Sequence, residues 1–452
     1  MDLFQIVYSW NLNLERNKRV TMIDQRAYTF IANIIPGHEA ELRSKLAAID
    51  LQLLQLVLDA SQGAILPFEN LTTIHYSRFI VLDAVPVTEG GPYAAKLVFS
   101  TNYDGDESSH LSQLATLAKV PLESLFSHCE SFTAKTSGDL QLYLKSQSVK
   151  ASAFYVGTRE RTRDQIREEA TLRRLVETFI DGKQRADPEW ARKDLRAARS
   201  AIIEHARQNG VLNSQLSPPI NRHWILFLVG AVLLVPILVL VPLILVAALV
   251  LRYKEIKDPI FQQDGKTFEL TPEAKNRIAS AAKHENFSLQ NQLTHLVPIK
   301  PGLFRLVLLK IVFWAINFLA RNFFYEGQLG RIPSIHFARW VIIDQGRRLL
   351  FMSNFDGSWQ NYLGDFVDKA AIGLTAVWSN TKLFPRTFFL LFKGAEDEER
   401  FKTWARVHQV DTQVWYSALP GLSVENINHN TNLRRLLFES SDMPDREWLQ
   451  QW

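Results

Sequence analysis

The stretch IHYSRFIVLD at 74–83 returns 261 residues later as IHFARWVIID at 335–344. Ile, His, Arg and Asp keep their places, and every other change swaps one apolar or small residue for another. Both runs are rich in β-branched and aromatic residues, which predicts strands. Neighbouring stretches recur in the same order. LVFSTNYDG (97–105) matches LLFMSNFDG (349–357), and TFIANIIPG (29–37) lines up with THLVPIKPG (294–302). LQLYLKSQSV (140–149) resembles FKTWARVHQV (401–410), TLRRLV (171–176) matches NLRRLL (432–437), and DPEW (187–190) echoes DREW (445–448). Chance gives one such pair easily; six in one order at nearly constant spacing read as a tandem duplication.

The first copy predicts its own secondary structure. An apolar strand over 28–35 stops at Pro36-Gly37, and 38–60 has helical apolar spacing at Leu42, Leu46, Ile49, Leu53 and Leu56. Strands are expected at 74–83 and 95–101, a helix at 108–119 and a strand at 126–133. A helix (139–149), a short strand (151–157) and a charged helix (163–181) follow. The order β-α-β-β-α-β is the ferredoxin-like arrangement, which covers one sheet face with helices and leaves the other apolar face to be buried elsewhere.

This order, duplicated, resembles the dimeric α+β-barrel superfamily, in which two ferredoxin-like units pack sheet to sheet. The fold class expected is therefore α+β: two tandem ferredoxin-like repeats forming a pseudo-dimeric barrel, with a membrane-embedded helical segment between them. The expected domains are an extension at 1–25, repeat 1 with its charged helix at 26–190, and a linker at 191–222. A membrane segment at 223–253, a linker at 254–290 and repeat 2 at 291–452 complete the chain.

The membrane expectation rests on WILFLVGAVLLVPILVLVPLILVAALVL at 224–251, 28 residues without a charge. A bilayer core of about 30 Å needs about 20 helical residues. The segment spans with a tilt, or bends at Pro236 and Pro242 and returns as a re-entrant hairpin. Paired repeats must share one side of the membrane, and both are expected on the cytoplasmic side. In LFRLVLLKIVFWAINFLA (303–320) the polar face of its counterpart helix is largely gone. It is expected to pack on its sheet and lay its outer face in the membrane interface. The start, MDLFQIVYSW, lacks a basic stretch and a continuous apolar core, so no cleavable signal peptide is expected.

Composition narrows the partners. The net charge of +4 points to no nucleic acid, and one cysteine makes neither an internal disulfide nor a cysteine zinc site. DGKT (264–267) lacks the upstream glycine of a phosphate loop, and no zinc spacing or Gly-x-Ser-x-Gly elbow occurs. Membrane lipid, a small apolar ligand and a protein partner remain.

The polar residues that recur between copies are the candidate site. Asp104, Asp356, His75 and His336 are candidate catalytic groups; Asn102, Asn354, Arg78 and Arg339 are candidate ligand-binding groups. Strand parity puts His75 and Arg78 on opposite faces unless a bulge intervenes, while Asn102 and Asp104 share a face. Arg78 and Asp83 are expected as a fold-locking pair or as solvent-facing ends. Asp104 is expected to accept amides of the next helix, with Gly105 in a left-handed turn.

The superfamily resemblance supplies one specific enzyme reading. Dye-decolorising peroxidases carry Gly-x-x-Asp-Gly, with the Asp over a haem. Here Asp104-Gly105 and Asp356-Gly357 match, while Thr101 and Ser353 stand where that motif has its first Gly. His408 and His429 are available as haem ligands. The expected function is binding or transforming a small apolar or lipid-derived molecule at the membrane surface, with haem-dependent oxidation as its specific form. The competing expectation is a non-catalytic membrane scaffold.

Overall fold

In the computed structural model the described residues are 24–58, 65–86, 91–214, 241–258, 272–283, 285, 288–322, 332–439 and 443–452. They form a mixed α+β structure with antiparallel sheets. The first half runs β1 (Gln25–Asn33), α1 (Glu39–Leu58), β2 (Ile74–Leu82), β3 (Lys96–Asp104), α2 (Glu107–Leu117), α3 (Lys119–Phe126), α4 (Ser137–Ser146), β4 (Ala153–Val156), α5 (Arg163–Ala186) and α6 (Leu195–Asn209). After α7, over 241–257, come α8 (Pro272–Lys283), β5 (Gln290–Pro298), α9 (Leu303–Asn322), β6 (Ile335–Ile343), β7 (Arg348–Asp356) and α10 (Trp359–Trp378). The two-residue strands β8 (Thr387–Phe388) and β9 (Phe392–Lys393) make a small hairpin. They precede α11 (Glu398–Val407), β10 (Val414–Ser417), α12 (Val424–Phe438) and α13 (Asp445–Leu449).

The two large sheets have the orders β1-β3-β2-β10 and β5-β7-β6-β4. Their edges are exchanged. Val414–Ser417 of β10 pairs with Tyr76–Phe79 of β2, and Ala153–Val156 of β4 pairs with Phe337–Trp340 of β6. The halves therefore share hydrogen-bond ladders. The registers also match: Gln25 faces Asp104 in one sheet, Gln290 faces Asp356 in the other, and Phe30 and His295 occupy the same rung opposite Phe99 and Phe351.

Each sheet buries one face under helices. Leu42, Leu46 and Ile49 of α1 join Phe30, Phe79 and Phe99 in the first core, while Leu309 and Phe313 of α9 join Trp340 and Phe351 in the second. The opposite faces meet. Ile80, Leu82 and Val98 pack against Val341, Ile343, Leu350 and Met352. Lys96 reaches Asp344 across the halves at 3.4 Å.

The expected strand at 126–133 is absent. Leu122, Leu125 and Phe126 bury at helical spacing in α3, and the extended stretch shrinks to a single bridge between Ile34 and Cys129. Arg78 and Asp83 do not pair. Asp83 bonds Arg43 at the surface at 2.7 Å, whereas Arg78 turns into the space between the sheets.

Of the apolar run at 224–251, residues 224–240 lie outside the described residues. Residues 241–251 belong to α7, where Leu243, Ile244, Leu245, Val246 and Leu249 are exposed. Among the described residues α9 is long and apolar enough to cross a membrane by length and composition, with Leu303, Val307, Ile311 and Trp314 exposed along one stripe.

The exchanged edges carry a prediction. A fragment ending at 214 keeps β4 without its partner strand and leaves β2 as an open edge, an association hazard. It should aggregate when expressed alone and be recovered as a one-to-one complex when co-expressed with 288–452. Size-exclusion chromatography checks this, and a monodisperse, cooperatively melting fragment would contradict it.

Candidate functional site at the sheet-to-sheet interface

The site begins with two bulges. Ile74 pairs with Tyr103, but Tyr76 already pairs with Asn102, so one residue of β2 is extra; β6 repeats the slip between Ile335 and Phe337. A bulge reverses side-chain parity. Ile74 and Ile335 turn into the helix-covered cores, while Tyr76 and Phe337 turn into the inter-sheet space. The expectation that His75 and Arg78 lie on opposite faces is thereby corrected. His75 packs edge-on against Phe337 at 5.4 Å, and Tyr76 packs against His336 at the same 5.4 Å.

Each histidine meets the aspartate at the end of the neighbouring strand. His75 Nε2 lies 2.7 Å from Asp104 Oδ1, and His336 Nε2 lies 2.7 Å from Asp356 Oδ1. The second carboxylate oxygens are also used. Asp104 Oδ2 accepts the Arg163 N–H at 2.8 Å, and Asp356 Oδ2 accepts the Val424 N–H at 2.8 Å. These amides open α5 and α12, each capped by the preceding Thr162 or Ser423. A carboxylate there satisfies an orphan helix donor and sits at the positive end of the helix dipole. The aspartates thus bind not the next helix but one 59 or 68 residues on; Asp106 and Ser358 cap α2 and α10. Gly105 and Gly357 hold φ of 92° and 82°, as the left-handed turn required.

The arginines cross between the sheets. Arg78 donates to Ser353 O (2.8 Å), Leu293 O (3.1 Å), Thr294 Oγ1 (3.2 Å), Gln292 Oε1 (3.3 Å) and Asn354 Oδ1 (2.5 Å). Arg339 answers with Tyr28 O (2.7 Å), Thr101 O (2.8 Å) and Thr29 Oγ1 (3.2 Å). Asn354 Nδ2 donates to Asn102 Oδ1 at 3.2 Å, and the Trp415 indole donates to Asn354 Oδ1 at 3.0 Å. All eight candidates therefore lie in one layer, where the arginines bond neutral oxygens of the opposite half. Burial pulls both guanidinium pKa values down to about 9.

The positions that depart from the peroxidase motif have a structural job. Thr101 Oγ1 lies 2.8 Å from His110 Nε2, and His110 stacks on Tyr103 at 3.9 Å. In the other half the Tyr362 hydroxyl donates to Ser353 Oγ at 2.8 Å, and Tyr362 stacks on Phe355 at 3.8 Å. This His110/Tyr362 correspondence is not evident in the sequence, because the two residues differ in kind. The nearby recurrence of Tyr103 and Phe355 was the available signal. His408 belongs to an aromatic core with His295 and Trp404, and His429 is half-buried on α12.

Chemically, a His–Asp pair can move protons. Here the carboxylate is the hydrogen-bond partner of Nε2, and Nδ1 of both His75 and His336 is buried without a hydrogen-bond partner among the described residues. A nucleophile on that nitrogen is missing from both pairs. The aspartates do not fit the distal role over a haem, since both oxygens of each are already bonded within the protein. Among the described residues no group of three or more His, Cys, Asp or Glu could hold a metal ion. Comparison with family models, curated proteins and solved structures found no match for the chain.

Two predictions follow the geometry. Asp104→Ala strands the His75 N–H and the Arg163 amide, at about 1–3 kcal/mol for each buried donor. Asp356→Ala should cost the same, and chemical denaturation in detergent measures both. The second concerns acid. Burial pushes His110 down to about 3 and His295 well below its ordinary value. The unfolded chain therefore takes up protons first as pH falls through about 6.5. Stability should drop below that point by on the order of 1.4 kcal/mol per pH unit for each histidine. His110→Tyr, which installs the partner used by the other half, should keep the fold and reduce this slope. Denaturation midpoints between pH 7.5 and 5 test it.

Proposed function

We propose that this chain is a membrane-tethered scaffold: a tandem duplication of a ferredoxin-like unit, closed into a pseudo-dimeric α+β barrel on the cytoplasmic face of the bilayer. The observation that carries this is the commitment of the inter-sheet layer to structure. Arg78 and Arg339 are spent on carbonyls and hydroxyls, the aspartates on histidines and helix amides, and aliphatic side chains fill the remainder. That layer is where a small apolar substrate or a haem would have to sit. A protein partner on the outer surface is the better occupant, and lipid is the other.

Strand exchange bears on topology. Halves that share ladders lie on one side of the membrane, which favours a segment at 224–251 that enters and returns over one that crosses once. The exposed apolar residues of α7 form the returning limb, and α9 stays packed on its sheet through Leu309 and Phe313.

One preparation tests both parts. Cysteines at exposed Leu142 and Glu399, with native Cys129 buried, should react equally with an impermeant thiol reagent from the cytoplasmic side and neither from outside. Labelling of the two positions from opposite sides overturns the topology. The same protein in detergent, titrated with haem, should give no Soret shift. A shift that Asp104→Ala and Asp356→Ala abolish would overturn the scaffold in favour of an oxidoreductase.

A further inference from the structure

Residues 386–394, Arg-Thr-Phe-Phe-Leu-Leu-Phe-Lys-Gly, form the β8–β9 hairpin, and its construction is costly. Phe389, Leu390 and Lys393 hold φ of 47°, 67° and 60°, a region that non-glycine residues avoid. A buried carboxylate holds the turn in place. Glu255 of α7 accepts the Leu390 N–H at 2.7 Å, the Phe389 N–H at 2.9 Å and the Thr387 hydroxyl at 2.9 Å. Arg252 adds bonds of 3.2 Å to both Glu255 and Thr387 O and stacks over Phe388 at 4.8 Å. The result is that Phe388, Leu391 and Phe392 face outward, each more than a third exposed. Water offers no return for strained backbone and a buried charge that display large apolar side chains.

The hairpin is continuous with two other apolar surfaces. Leu251 of α7, Leu390 of the turn and Ala376 of α10 form a small core lined by Phe304, Leu308 and Val312 of α9. The exposed stripe of α9 and the exposed flank of α7 therefore adjoin the hairpin tip. Cations border the surface: Lys382, Arg386 and Lys393 beside the turn, Lys257 on α7 and Lys310 on α9 are exposed. Among the described residues none of these five is in an ion pair with a carboxylate. An apolar face rimmed by unneutralised cations matches an anionic lipid surface, with side chains in the acyl boundary and ammonium groups at the headgroups.

We propose that the hairpin tip and the outer stripe of α9 dock on an anionic bilayer as one rigid face with α7, so that the body is held in a fixed orientation against the membrane. This rests on the membrane tether proposed above. Four variants of the full chain test it, each adding one exposed cysteine to the buried native Cys129 and carrying an environment-sensitive fluorophore at the added position: Phe392→Cys, Val307→Cys, Leu245→Cys and Leu142→Cys. They are reconstituted in vesicles of phosphatidylcholine with phosphatidylglycerol. Labels at 392, 307 and 245 should shift to the blue and lose emission to brominated lipid, while the label at 142 responds only to aqueous iodide. In phosphatidylcholine alone, the losses at 392 and 307 should diminish and that at 245 persist. If 245 is quenched by lipid but 392 and 307 respond to iodide, the tether stands and the docking face is overturned. If 245 also responds to iodide, the tether itself fails. Equal quenching at 392 in both vesicle types would overturn the anionic preference.

Discussion

Arg78 and Arg339 are the constraint on which the two-sheet arrangement depends. Each guanidinium leaves its own sheet and bonds main-chain and hydroxyl oxygens of the other half. Among the described residues neither is bonded to a carboxylate. Burying a cation is expensive unless its donors are satisfied, and here neutral oxygens at fixed positions satisfy them. The bonds require one sheet-to-sheet register, because a shift of either sheet would strand a charged group in the interior. The aliphatic layer of Ile80, Val98, Val341 and Leu350 supplies non-directional attraction, and the arginines supply its uniqueness.

The His–Asp pairs extend that constraint outward. Each aspartate fastens three things: its own strand end, the bulge histidine of the preceding strand, and the first amide of a helix 59 or 68 residues on. Those helices, α5 and α12, then pack on one another through buried Glu169, which bonds Thr431 and Arg434 of the opposite half. A chain of satisfied polar groups therefore runs from the inter-sheet layer to the helical pair outside it. The chemistry available to histidine and aspartate is absorbed by this role, which is why recurrence of such residues argues as readily for architecture as for catalysis.

Much of this was legible in the sequence because recurrence of residue type exposes shared packing demands. The main strands and the eight polar positions emerged from IHYSRFIVLD, IHFARWVIID and the two Asp-Gly turns, while apolar spacing and charge gave helices over 38–60 and 163–181, found at Glu39–Leu58 and Arg163–Ala186. Three features were hidden, for separable reasons. The bulges at His75 and His336 are backbone slips that leave no mark on residue type. The exchange of β4 and β10 is decided by which edge a four-residue strand meets after a long helical excursion, and periodicity carries no information about that choice. Glu255 carries no local signal in the sequence, since its three hydrogen-bond donors come from a hairpin more than 130 residues away.

The places where the two halves differ are more informative than those where they agree. Matching geometry at His75 and His336, or at Arg78 and Arg339, needs no explanation beyond a shared fold. The divergences run in one direction. Phe30, Phe126 and Tyr143 fill the first core where His295, Trp378 and Trp404 fill the second. Outside those cores, the first half of α1 mixes charged and apolar residues and its end exposes Leu51 and Leu54, whereas α9 exposes Leu303, Val307, Ile311 and Trp314 along most of its length. Among the described residues the polar bonds to α7 and its end come from the second half, through Glu255 and through Asp258 just past the helix, which bonds Lys300 at 2.7 Å and also Arg305. Two domains under one packing constraint can drift only on surfaces that the constraint does not reach. The second half exposes its apolar stripe of α9 on the side where it holds α7, so the surface that the polar layer leaves unconstrained and the grip on α7 fall together.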